Sequence, residues 1–178
     1  MKKLQVVLNL VTAATICLPV ITLRVQAQET REQAAAHLRA PEAKEMDPTY
    51  THAAPFAQKL VDEALAKHPE VLLLALHAGA PKYNIVASNF GRIGKLGDED
   101  DLRCIRTGKN NLEVNKEGNH FEDQLPLKDQ SGKTIGAIGV VFRYKQGDDK
   151  LALQKVADEI QVEMKGKIPS AKRLLGPA

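Results

Sequence analysis

Apolar positions along this chain switch between a helical period and a strand period, and the switches mark its elements. Phe56, Leu60, Val61, Ala64 and Leu65 fall at i, i+4, i+5, i+8 and i+9, one face of a helix that Pro69 ends. Val71-Leu72-Leu73-Leu74-Ala75-Leu76 is too short for another helix and reads as a strand buried on both faces. Gly79-Ala80-Pro81 turns the chain, and Tyr83 to Ser88 returns as a second strand. Leu112 to Asn115 is a short third strand, and Lys116-Glu117-Gly118-Asn119 leads into a long hairpin. There Phe121, Asp123, Leu125 and Leu127 alternate, Asp129-Gln130-Ser131-Gly132 turns, and Thr134 to Tyr144 runs back. Alternation puts Ile138, Val140, Phe142 and Tyr144 on one face and Ile135, Ala137 and Val141 on the other. Gly136 and Gly139 leave room for a neighbouring backbone or a ligand. A closing helix spans about Asp149 to Lys165, with Leu153, Val156, Ala157, Ile160 and Met164 on one face, and Ile168-Pro169-Ser170 marks its exit. The order predicts an α+β domain: a five-stranded antiparallel sheet with flanking N- and C-terminal helices and a loop-helix lid on the other face.

Ahead of the domain, Lys2 and Lys3 precede an apolar run from Leu4 to Leu23, and Val25-Gln26-Ala27 supplies small residues for cleavage. This is the layout of a signal peptide over residues 1–27 and predicts a periplasmic or secreted protein. Asn9, Thr12, Thr15, Pro19 and Thr22 dilute the run, and Arg24 leads to a small-residue site instead of a basic stop-transfer flank, which disfavours an anchor. The segment holds three of the 25 basic residues and none of the 22 acidic ones, so the remaining chain is formally neutral. It has no arginine-rich stripe and little aromatic interleaving, so nucleic acid is not an expected partner. Cys104 alone remains after cleavage, and no intrachain disulfide is available. Residues 28–55 divide into a polar segment of helical propensity, Gln28 to Arg39, and a linker with prolines at 41, 48 and 55. The first is a candidate pairing surface for a homodimer. The domain proper is placed at 56–170, followed by a tail at 171–178.

The stretch from Asn89 to Lys109 is too long and too punctuated by glycine for a simple connection, and such loops are usually functional or disordered. It carries Arg92, Lys95, Arg103 and Arg106, with Asn89 and Thr107 as neutral hydrogen-bonding groups. These six are the candidate binding residues for a small molecule bearing a carboxylate. Gly91, Gly94 and Gly97 could cradle an anion, although no dinucleotide or Walker pattern accompanies them. Asp98-Glu99-Asp100-Asp101 lacks the spacing of a calcium loop and reads as the capped start of a short helix, with Arg103 and Arg106 near its end. The histidines at 37, 52, 68, 77 and 120 form no i, i+4 pair, so no metal site is expected. No C-x-x-C-H exists, and non-covalent haem through His77 or His120 stays open. No catalytic constellation is legible, and no cofactor is expected. The alternatives are an exported enzyme using Cys104 as nucleophile, or a structural module.

The run Asn119-His120-Phe121-Glu122 through Leu125-Pro126-Leu127-Lys128-Asp129-Gln130-Ser131-Gly132-Lys133-Thr134-Ile135-Gly136 resembles the ending of single-Cache and PAS-like extracytoplasmic sensor domains. There a strand, a D-x-x-G-x-x-I-G turn and a long strand close the ligand-binding sheet. The resemblance covers roughly Phe56 to Pro169 and implies a small-molecule site between sheet and lid. No second transmembrane helix or output segment follows the domain here, which favours a free-standing binding protein.

Overall fold

The computed structural model describes residues 28–177. The expected signal peptide, 1–27, lies outside the described residues. Helix α1 spans Arg31–Ala36, α2 Pro55–Lys67, α3 Glu99–Thr107, α4 Lys150–Lys167 and α5 Ala171–Leu174. Strands are β1 Val71–Ala78, β2 Asn84–Ser88, β3 Asn111–Val114, β4 His120–Lys128 and β5 Thr134–Arg143. They form one antiparallel sheet in the order β2-β1-β5-β4-β3, the expected α+β architecture.

The two faces of the sheet separate as the alternation requires. Val71, Leu74 and Leu76 of β1, Phe121, Leu125 and Leu127 of β4, and Ile138, Val140 and Phe142 of β5 pack with the apolar stripes of α2 and α4. Pro55 opens α2 at its first turn, where the missing N–H costs nothing. Asp149 caps α4 by accepting from the Leu151 and Ala152 amides. Full burial of each large side chain stabilises by about 1.5–3 kcal/mol, so this face holds most of the driving force for folding. Gly136 is dictated by the sheet itself: a Cβ there would collide with the His77 carbonyl of β1.

The other face is covered by α1, α3 and the loops around them. Ala34 of α1 packs with Leu72 and Leu73, flanked by Leu38, Phe90 and Val141. Arg31 fastens α1 by donating to the carbonyls of Val71 at 2.9 Å, Leu65 at 2.9 Å and His68 at 3.2 Å. Glu29 adds a 2.8 Å contact to His120, and its carbonyl accepts from Arg143. The surface expected to pair two chains therefore meets the chain's own sheet.

Residues 40–55 are likewise no loose linker. Met46 bridges to Lys95, and the Asp47 amide donates to Gly94, the Leu96 amide to Glu45 and the Ala54 amide to Val86, each at 2.8 Å. The expected tail also packs: Leu174 is fully buried and the Arg173 guanidinium lies 4.5 Å over the Phe56 ring. What reads as lead-in and tail by composition is thus part of the folded unit.

Candidate functional site

Between the sheet and the α1–α3 cover lies a cavity of about 270 Å³. Strand parity supplies its floor. Leu73, Ala75 and His77 of β1, Glu122 and Gln124 of β4, and Gly139 and Val141 of β5 all point away from α2 and α4. Leu38, Phe90, Arg92, Lys95, Asp98 and Asp101 close it from above. A second hollow of about 580 Å³ adjoins it, sharing Leu38, Leu73, Glu113, Glu122 and Val141 and also lined by His37 and His120.

Of the six residues expected to bind, Arg92 and Lys95 line the cavity and four do not. Asn89 is a brace for β1. Its side-chain oxygen accepts from the Leu74 amide at 2.9 Å and its amide donates to the Leu72 carbonyl at 2.8 Å, where the β1–β5 register slips. Arg103 pairs with Asp100 and donates to Asn111, both at 2.7 Å. Arg106 pairs with Glu99 at 3.1 Å, and the Thr107 hydroxyl caps the same helix by donating to the Arg103 carbonyl at 2.8 Å. The acids of α3 therefore neutralise its arginines on the surface. Arg92 has left-handed backbone (φ 62°) and donates to the Arg39 carbonyl. Lys95 pairs with Asp98 at 3.2 Å.

Two of the three glycine amides expected to cradle an anion are engaged within the chain. Gly94 donates to Ile85 at 2.9 Å and Gly97 to Lys82 at 3.2 Å. A Cβ at Gly94 would come within 2.8 Å of the Asp47 carbonyl, so close backbone packing is what requires the glycine. Asp98 and Asp101 form a reciprocal capping box at the start of α3, with 3.0 and 3.3 Å bonds. Among the described residues no cluster of histidine, cysteine or acidic side chains has the makings of a metal site.

Glu122 and Gln124, which reach the cavity from the sheet, escaped the sequence reading, and His77 entered it only as a haem candidate, although parity was the available signal. His77 shares its face with Leu73 and Ala75, and Glu122 and Gln124 alternate with the core residues Phe121, Asp123 and Leu125. His77 is 5% exposed. Its Nδ1 lies 3.3 Å from the Tyr83 carbonyl and 3.4 Å from Asp101 Oδ2. Burial, with the Lys95 charge, pulls its pKa down to about 4, so the ring is neutral at pH 7. In the tautomer that donates from Nδ1 to the Tyr83 carbonyl, Nε2 presents a lone pair.

Burial, followed by the charges of Asp98 and Glu113, pushes Glu122 up to about 7. Its nearest donor is the Gln124 amide, at 3.5 Å. Burial and the Asp98 charge likewise raise Asp101, so its contact with His77 is not an ion pair near neutrality. His120 is held by Glu29 at 2.8 Å beside the second hollow. Cys104 is 1% exposed and its thiol lies 3.5 Å from the Gln124 carbonyl. Burial, then Asp101 and Asp123, pushes that thiol up to about 12, which keeps it protonated and unreactive.

No family model matches the chain, and no curated protein matches it. Among solved structures it is similar to the inducer-binding domain of the transcription factor PobR from Acinetobacter, a double mutant in complex with 3-hydroxybenzoic acid. That likeness has 10% identity, 65% of this chain and 98% of the other, and a TM-score of 0.44. It is also similar to the targeted domain of a candidate IclR-family transcriptional regulator, at 11% identity over 69% of this chain and 97% of the other, TM-score 0.42. A third likeness is to a candidate GAF sensor protein from Burkholderia vietnamiensis, at 12% identity over 85% and 99%, TM-score 0.46. At this level the likenesses bear on neither ligand nor role.

Proposed function

We propose that the chain is an exported, sensor-like domain of PAS or Cache type that binds a small molecule in the cavity between sheet and lid. The carrying observation is the cavity itself, where buried His77 and half-buried Glu122 and Gln124 of the sheet converge among Leu38, Leu73, Phe90 and Val141. Export rests on the signal-peptide pattern of residues 1–27. For a carboxylate-bearing ligand, the cavity offers Arg92 and Lys95 alone of the six expected residues, both already bonded within the chain.

A thermal-shift screen of metabolites tests the reading, because a ligand bound only by the folded state raises the melting temperature. Concentration-dependent shifts confined to a small chemical class are expected. A screen across cations, anions and neutral compounds that moves nothing would contradict it.

A further inference from the structure

We propose that the cavity takes a small organic cation, an apolar body carrying a protonated amine, with the ammonium seated against Glu122 and Glu113. The inference rests on the cavity being a binding site and adds the class of ligand.

The argument is an imbalance between donors and acceptors. The cationic and amide side chains at the cavity each already bond within the chain: Arg92 through one nitrogen to the Arg39 carbonyl, Lys95 to Asp98, and the Gln124 amide to Glu122. Among the described residues the two glutamates there lack a cationic partner. Glu113 and Glu122 stand directly opposite each other on β3 and β4, a like-charge cross-strand pair that destabilises a sheet. Both line the cavity, and among the described residues neither pairs with a cation. In the tautomer that donates from Nδ1 to the Tyr83 carbonyl, His77 adds a third acceptor, Nε2 of an almost wholly buried ring. A carboxylate entering beside Glu113 and Glu122 would meet like charge, whereas an ammonium would supply a counter-charge and three N–H donors. Leu38, Leu73, Phe90 and Val141 offer the apolar body a matching surface. The raised Glu122 carboxyl fits the same picture, since a cation is what would let it ionise.

A matched trio of probes tests this by calorimetric titration of the purified protein at pH 8: 2-phenylethylamine, 2-phenylethanol and 3-phenylpropionate. The amine should bind roughly tenfold or more tighter than the alcohol, and the propionate weakest. Glu122→Gln should remove that amine preference, and Glu113→Gln, at an exposed position, should reduce it without touching the core. Equal affinity for amine and alcohol, or tighter binding of the propionate, would overturn the cationic ligand while leaving the cavity a binding site. An amine preference that survives both substitutions would place the cation elsewhere and equally overturn it. If none of the three binds at millimolar concentration the ligand class is wrong, and the metabolite screen decides separately whether the cavity binds at all.

Discussion

Asp123 occupies a position that its neighbours reserve for apolar side chains. It sits on the helix-facing side of β4 between Phe121 and Leu125, is fully buried, and its Oδ1 has no partner. Asn110 reaches its other oxygen at 3.5 Å. Burial, then the charge of Asp158 on α4, raises its carboxyl to about 7 from an ordinary 3.8. The unfolded chain gives up this proton as pH rises past its ordinary value, while the folded chain holds it until about pH 7. The stabilising contribution is therefore full below the ordinary value and is lost as pH climbs through about 7. Asp123→Asn should raise stability by about 1–3 kcal/mol at pH 8 and by little at pH 4, read from melting curves at both. An equal gain at the two pH values would mean that this carboxyl does not titrate in the fold. Asn89→Ala carries the opposite expectation: a loss of about 1–3 kcal/mol in chemical denaturation, because the Leu74 amide and Leu72 carbonyl lose their partners. Neither role was readable beforehand. Asp123 alternates like a core residue and was read only as part of a pattern, and Asn89 acts through a register slip in a strand fifteen residues away.

At the scale of elements, the strands and helices follow closely from periodicity. Burial on two faces made β1 a continuous apolar run, and the alternation along β4 and β5 assigned Ile138, Val140 and Phe142 to the core. Val140→Asp should unfold the domain, since an unpaired buried carboxylate costs several kcal/mol against a total stability of about 5–15 kcal/mol. A soluble variant with an unchanged melting curve would place that face outside the core. Misread elements were those whose order comes from long-range contacts. The segment before α2 is polar and proline-bearing, so nothing in its own periodicity announces the Arg31 bonds to β1 and α2 or the pairing of residues 45–47 with the 94–96 loop. Arg31→Ala removes three bonds to backbone carbonyls. It should expose residues 28–40 to limited proteolysis well before the core is cut, and identical digestion of parent and variant would show that α1 is held by other means. The cations of the loop were sorted by helix spacing: Asp100 and Arg103 lie one turn apart on α3, so their pairing follows once the helix exists.

The whole molecule combines a conventional two-sided sheet with an asymmetric use of its faces. One face packs α2 and α4 into a continuous apolar core, and the other trades part of that packing for a cavity lined by polar groups. That trade is the basis for regarding the lid side as functional. Export belongs to the same scale: protein recovered from outside the cytoplasm should have an intact mass beginning at Gln28, and recovery of the full-length chain from membranes would contradict cleavage after Ala27. The central claim, that ligand occupies the lid-face cavity, is tested most directly by filling it. Gly139 forms part of the floor, and a Cβ there would meet only the Glu122 carboxylate, at 3.4 Å, so the branches of a valine would project into the space. Calorimetric titration of any ligand found by the metabolite screen should show at least a tenfold loss of affinity in Gly139→Val while the unliganded melting temperature stays near that of the parent. Undiminished affinity in a folded Gly139→Val variant would contradict the account.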